Sequence, residues 1–157
     1  MNFSRITDNV FVGTTPRLSD YDRLHEMGVR LVINMRLLRG RPPGNALQSV
    51  RYLRLRTIDS PLAPIPAEAL VRGARAALQV IEGGGSVYTH CARGRHRSVA
   101  MGAAILIAQG LTPEAAMQLI KERRPEADPE AFHIRPRIIE FAHIWGSEAK
   151  SVAQEAA

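Results

Sequence analysis

One cysteine, Cys91, stands alone in 157 residues. An internal disulfide is therefore excluded, and an unpaired thiol fits a reducing compartment, so cytoplasmic location is the expectation. No stretch approaches the roughly 18 consecutive apolar residues of a membrane helix, so no membrane span is expected. The opening Met1-Asn2-Phe3-Ser4-Arg5 also lacks the apolar run of a signal peptide. Aromatic residues make up only 5% of the chain. They form no basic stripe interleaved with rings, so a nucleic-acid partner is not expected. Lysine is scarce: 19 of the 21 basic residues are arginine. Aspartate is scarce too, with Asp8, Asp20, Asp22, Asp59 and Asp128 the full set.

What is present points to a globular fold. Hydrophobic residues make up 45% of the chain, and a chain of this length buries a core without disulfides or metals. Residues 1–146 read as a single domain and residues 147–157 as a frayed polar tail. The net charge is +6. Arginine in such excess favours an anionic partner, because guanidinium grips phosphate through paired hydrogen bonds. A solvated basic face is the plainer account of the overall charge.

Short strands are predicted at Phe3 to Ile6 and Val10 to Val12, the second closed by Gly13. Ser19 is placed to cap a helix carrying Leu24 and Met27 on its apolar side and ending at Gly28. Leu31-Val32-Ile33-Asn34 has the unbroken apolar character of a buried parallel strand. A loop spans Leu37 to Leu47, and Arg36, Arg39 and Arg41 read as solvated loop charges. Arg51 to Arg56 alternates, with Leu53 and Leu55 on one face. Leu70, Ala74, Ala77, Leu78 and Ile81 recur at helical spacing within Ala67 to Glu82. After Gly83-Gly84-Gly85 a strand is expected at Ser86 to Thr89. Thr112-Pro113 opens a further helix in N-cap and N1 order, and a last one covers Pro136 to Trp145. Strands alternating with helices predict an α/β fold, a central mostly parallel sheet flanked by helices.

The chain is organised around Val87-Tyr88-Thr89-His90-Cys91-Ala92-Arg93-Gly94-Arg95-His96-Arg97-Ser98. This is a buried strand, a tight polar loop with three arginines and no acid, and a helix opening at Ser98. Such a loop points N–H groups inward, and the helix dipole adds positive potential, an arrangement suited to a doubly charged oxyanion. A thiol attacks well only as thiolate, and a helix N-terminus with nearby arginines lowers its pKa from about 8.5 to roughly 3.5–7.5. A small buried residue at a strand end is the alternative for Cys91. No core requires the five small or polar residues and the arginine that follow it, so Cys91 is the candidate nucleophile. Arg97 is the candidate partner for two phosphate oxygens, with backbone N–H groups of Ala92, Arg93, Gly94, Arg95, His96 and Arg97 supplying further donors. Gly94 lets the backbone turn where a side chain would meet the anion. His90 is expected to support the loop rather than exchange protons with substrate.

The spacing His-Cys-x5-Arg-Ser resembles the signature loop of the cysteine-dependent protein tyrosine phosphatases, most closely their small atypical dual-specificity branch. The resemblance runs over roughly residues 3–146. It implies a dual-specificity phosphatase-like fold, no metal or other cofactor, and a cysteinyl-phosphate intermediate. Phosphate, sulfate and vanadate are the implied active-site anions. It also implies that Ser98 hydrogen-bonds the sulfur and eases its departure; spacing alone would make Ser98 only a helix cap.

Transfer to sulfur needs a protonated leaving oxygen, hence a general acid from elsewhere. Asp59 opens the proline-rich loop Asp59-Ser60-Pro61 at a strand end, where it can lean over the pocket. The resemblance places the acid, later the base that activates water, at such a strand end, and so on Asp59. Asp128-Pro129 resembles the acid loop of the low-molecular-weight phosphatases. In that family the cysteine lies near the chain start, and the order here favours Asp59.

Arg93, Arg95 and His96 bear on the substrate. Arg-Gly-Arg-His-Arg resembles the loop of atypical phosphatases acting on inositol pyrophosphates, and extra cations at the rim favour a substrate with several phosphates. Side chains that point outward and merely brace the loop are the competing account. The expected activity is hydrolysis of phosphotyrosine, with phosphoserine and phosphothreonine open. An inositol-polyphosphate or phosphoinositide phosphatase is the alternative, and a non-catalytic phosphate-binding module a further one. With no second cysteine available, oxidation of Cys91 is expected to give sulfenic acid or a sulfenamide.

Overall fold

The computed structural model describes residues 1–38 and 50–156. Most of the loop predicted from Leu37 to Leu47, with Arg39 and Arg41, lies outside the described residues. The strands are β1 (Phe3–Arg5), β2 (Val10–Thr14), β3 (Val29–Asn34), β4 (Arg51–Arg54) and β5 (Ser86–Cys91). The helices are α1 (Tyr21–Glu26), α2 (Ala67–Glu82), α3 (Arg97–Ala108), α4 (Pro113–Arg123) and α5 (Arg135–Ala156). Among the described residues the strands form one sheet in the order β1-β2-β5-β3-β4. Only the β1–β2 edge pair is antiparallel; β2, β5, β3 and β4 run parallel. The predicted α/β class with a mostly parallel sheet is what the chain adopts.

Strand alternation explains the two layers. Val10, Val12, Leu31, Ile33, Val87 and Cys91 face a core shared with α2 to α5. The intervening Phe11, Val32 and Tyr88 face the other side, where they meet Tyr21 and Leu24 of α1. Both faces being covered, β3 and β5 read as near-continuous apolar runs. Helix α3 is buried from Arg97 through Ile107, and its alanines and glycine permit close approach to the sheet. A Cβ on Gly102 would fall 2.8 Å from a Val12 methyl. Thr112 caps α4 as expected, its Oγ1 accepting the Ala115 N–H at 3.2 Å.

Several boundaries differ from the expectations. Strand β2 continues through Gly13 to Thr14, held by parallel pairing with β5 up to Cys91. Ser19 lies inside a 3₁₀ turn, Leu18–Asp20, and caps nothing; the Asp20 carboxylate instead accepts the Arg17 N–H at 2.7 Å. The residues expected as a frayed tail continue α5 to Ala156. Ser147 to Ala156 contains no glycine or proline and is rich in Ala, Glu, Lys and Gln, which propagate a helix readily. An ion pair between Arg75 and Glu148 at 2.9 Å ties this extension to α2.

Candidate active site

Strand β5 ends at Cys91 between β2 and β3, and α3 begins six residues later at Arg97. The connecting loop therefore sits at the carboxyl ends of the parallel strands, where open α/β sheets form their crevices. Gly94 makes the turn with φ of +65°. A Cβ there would lie 2.6 Å from Arg124 Nη2 and 2.7 Å from the Gly13 carbonyl carbon. The turn needs glycine for both backbone conformation and space.

Cys91 Sγ lies on the inside of this loop, 1% exposed. The Gly94 N–H donates to it at 3.2 Å, and Ser98 Oγ lies 3.3 Å away. Burial alone pushes the thiol pKa up. Hydrogen bonds from the Ser98 hydroxyl and from the Ser98 and Arg95 backbone, with the Arg97 charge, more than offset this and hold the thiol below its ordinary range. Converging N–H groups around one atom form an anion-binding nest, and here its first occupant is the sulfur itself.

Arg97 is nearly buried beside it. Its Nη1 donates to the carbonyls of Met35 at 3.0 Å and Thr57 at 2.8 Å, which fixes the guanidinium plane. Its Nε is buried and has no hydrogen-bond partner among the described residues; it lies 3.8 Å from Asp59 Oδ2. The hydrogen bonds of Nη1 go to neutral carbonyls, which do not cancel the charge, and the Asp59 carboxylate faces it at 3.8 Å. A cleft of about 260 Å³ opens there, lined by Arg36, Leu37, Leu38, Thr57, Ile58, Asp59 and Arg97.

The two candidate acids lie on either side of His96. Asp59 Oδ1 is 3.3 Å from His96 Nδ1, and Asp128 Oδ2 is 4.0 Å from His96 Nε2. Asp128 is bound to the loop through both its backbone N–H, 3.0 Å from the Arg95 carbonyl, and its carboxylate, 3.2 Å from Arg95 Nη2. Asp59 is the acid that also faces Arg97. Ala92 and Arg93 are exposed, and the Arg95 side chain is turned toward Asp128. The His90 ring packs against Tyr88 with centroids 6.0 Å apart. Its carbonyl accepts the Met35 N–H at 2.9 Å, joining the two strand ends.

Two residues here carried no signal in the sequence. Arg124 is fully buried, and its Nε donates to the Gly94 carbonyl at 2.7 Å, bracing the loop from behind. Its Nη1 reaches Asn2 Oδ1 at 3.0 Å and Glu126 at 3.2 Å. His133 places Nε2 3.4 Å from Asp59 Oδ1. Adjacent Pro125 marked only a helix end, and His133 has no sequence neighbour in the site.

No protein-family model matches the chain. The chain is 35% identical over 154 residues to the rat (Rattus norvegicus) phosphatidylglycerophosphatase and protein-tyrosine phosphatase 1, across 93% of this chain and 77% of that one. It is 29% identical over 126 residues to human (Homo sapiens) dual specificity phosphatase 28, across 80% of this chain and 69% of the relative. The crystal structure of human DUSP28 superposes with a TM-score of 0.82 at 23% identity, covering 92% of this chain and 99% of that one. PTPMT1 in complex with PI(5)P gives 0.78 at 30% identity, covering 96% and 98%. Fold and relatives together define a phosphatase. The chain belongs to the cysteine-dependent protein tyrosine phosphatase superfamily, in its small atypical dual-specificity branch.

Proposed function

We infer that the chain hydrolyses phosphomonoesters through a cysteinyl-phosphate intermediate. The observation that carries this reading is the Cys91 thiol on the inside of the loop, 3.3 Å from Ser98 Oγ and 3.2 Å from the Gly94 nitrogen, contacts that with the Arg97 charge favour the thiolate. The Cys91 thiolate attacks phosphorus, an S–P bond forms and the P–O bond to the leaving group breaks. Arg97 and the loop N–H groups of residues 92–97 stabilise the charge on the transferring oxygens. Asp59 gives its proton to the leaving oxygen, an assignment supported by its position facing Arg97. Water then attacks phosphorus, passes a proton to the Asp59 carboxylate, and releases phosphate. The sulfur departs as thiolate, accepting from Ser98. His90 supports the loop, and no metal ion enters any step.

Phosphotyrosine is the substrate this reading favours, with phosphoserine and phosphothreonine open to a crevice of this size. A second reading, a phosphoinositide or inositol polyphosphate as substrate, draws on the exposed Arg93 and Arg95 of the loop between Cys91 and Arg97. The relative solved with PI(5)P favours it as well. A free reactive thiol fits a cytoplasmic setting. Among the described residues no helix is long and apolar enough to cross a membrane.

The test is hydrolysis of para-nitrophenyl phosphate in EDTA, followed by rapid-quench capture of phosphate on the protein. Wild type should turn over and trap phosphate on sulfur, while Cys91→Ser should do neither. Turnover persisting in Cys91→Ser would end the covalent reading. Relative kcat/KM on phosphotyrosine peptides and on PI(5)P or inositol polyphosphates then decides the substrate class.

A further inference from the structure

We propose that Asp59, His96 and His133 form a binding site for a divalent transition-metal ion at the mouth of the crevice, and that its occupancy inhibits the enzyme. The three side chains come from distant parts of the chain: the segment after β4, the loop leading into α3, and the segment before α5. Asp59 Oδ1 lies 3.3 Å from His96 Nδ1 and 3.4 Å from His133 Nε2. All three donor atoms lie within 4.8 Å of one another.

The distances are informative in themselves. Hydrogen bonds between N–H and O cluster at about 2.7–3.2 Å, so both contacts are longer than ordinary ones. A tetrahedral zinc ion with bonds of about 2.0–2.1 Å sets its ligands about 3.3–3.4 Å apart. The two separations measured from Asp59 fall on that edge length, while the two imidazole nitrogens, placed within 4.8 Å, must draw together for one ion to engage all three. Two imidazoles and one carboxylate suit zinc, cobalt or nickel, and are a poor set for magnesium or calcium.

The rings are held as ligands need to be held. His96 and His133 pack edge to face with centroids 4.9 Å apart, and Phe132 packs against His133 at 5.3 Å. The second nitrogen of His96 faces the Asp128 carboxylate at 4.0 Å, the side on which an outer carboxylate orients a metal-bound imidazole. Three protein ligands leave a fourth position open to water.

An ion bound here engages the Asp59 carboxylate and withdraws it from proton transfer. That consequence rests on the proposed role of Asp59; the binding itself does not.

The experiment separates the two. Zinc chloride is titrated calorimetrically into Cys91→Ser, which removes the competing thiol and any dependence on activity. One ion should bind, at least tenfold more weakly in Cys91→Ser/His133→Ala and in Cys91→Ser/Asp59→Asn. Cobalt added to Cys91→Ser should give the visible absorption of a tetrahedral N/O site. Circular dichroism checks that each double variant is folded, and Asp59→Asn, on an exposed loop, stands in should His133→Ala unfold. Absence of binding to Cys91→Ser, or binding by both double variants as tight as by Cys91→Ser, would overturn the site. With wild type, zinc should inhibit reversibly with EDTA, and the fractional inhibition should fall in His133→Ala. Tight binding to Cys91→Ser without inhibition of wild type would keep the site but overturn the inhibition, and with it the role of Asp59.

Discussion

Arg124 and Gly94 are locked together: the guanidinium donates to the Gly94 carbonyl at 2.7 Å, while the Gly94 N–H donates to Cys91 Sγ at 3.2 Å. One peptide segment thus connects a buried cation to the Cys91 sulfur, the proposed nucleophile. Arg124→Ala leaves the Gly94 carbonyl and the Asn2 amide oxygen without this donor. Hydrogen bonds from a charged group contribute about 1.5–3 kcal/mol each, so a loss of about 3–6 kcal/mol of stability is expected by urea denaturation. The loop should loosen as well, and the midpoint of the pH profile for iodoacetamide alkylation of Cys91 should rise. An unchanged midpoint would mean that Arg124 supports the fold without shaping the loop.

The depressed Cys91 pKa has a consequence for stability. A group whose folded pKa lies below its unfolded one contributes stability that is fully present above the unfolded value, about 8.5 for cysteine. That contribution is lost as pH falls through the folded value. The stability gap between wild type and Cys91→Ala should therefore widen as pH rises toward about 8.5. Ser98→Ala removes the hydroxyl that favours the thiolate and should narrow the gap. Urea unfolding at a series of pH values measures both, and a gap independent of pH would refute a thiolate-favouring loop.

The fold and the floor of the site could be read from the residues because the signals are local. The strand Ser86 to Thr89, the x5 spacing and the arginine were contiguous, and contiguous residues at a strand-to-helix turn must share one site. The rim could not be read this way. His133 reaches Asp59 across 74 residues of sequence. Arg124 is buried because four partners from three segments surround it, Asn2, Ser4, Gly94 and Glu126. Nothing in a helix ending Arg123-Arg124-Pro125 distinguishes the buried arginine from the exposed one. The C-terminal extension of α5 was legible in composition, where Ala, Glu, Lys and Gln outweigh the polarity that suggested a tail.

Asp59 and Asp128 make different predictions despite sharing His96. With para-nitrophenyl phosphate, Asp59→Asn should lower kcat by about 10²–10⁴ and abolish the high-pH limb, as removal of a general acid does. Asp128→Asn removes an ion pair to Arg95 that is about half exposed, an interaction of about 0–1 kcal/mol. Its kcat should change less than tenfold. The reverse order of effects would move the acid role to Asp128.

Gly94→Ala tests the turn itself. Alanine at φ of +65° is strained, and its Cβ meets Arg124 Nη2 and the Gly13 backbone. Strain of this kind costs on the order of 1–3 kcal/mol. Thermal unfolding should register that loss, and vanadate affinity should fall by more than tenfold as the N–H groups lose alignment. Vanadate binding at wild-type strength would show that the loop tolerates another conformation.

Arg93 separates the two substrate readings. Its side chain is exposed, so it is proposed to meet only a substrate that extends beyond the reacting phosphate. Arg95 differs, because Asp128 already holds it at 3.2 Å and compensates its charge. For an inositol polyphosphate, Arg93→Ala should raise KM several-fold more than for para-nitrophenyl phosphate. The loss should shrink as ionic strength rises, because exposed charges are screened beyond about 8 Å at physiological salt. Arg95→Ala should raise KM less, since an arginine engaged by a carboxylate has less field to offer. Equal changes in KM for both substrates would remove the case for polyphosphate recognition and leave the aryl and peptide phosphates as the natural class.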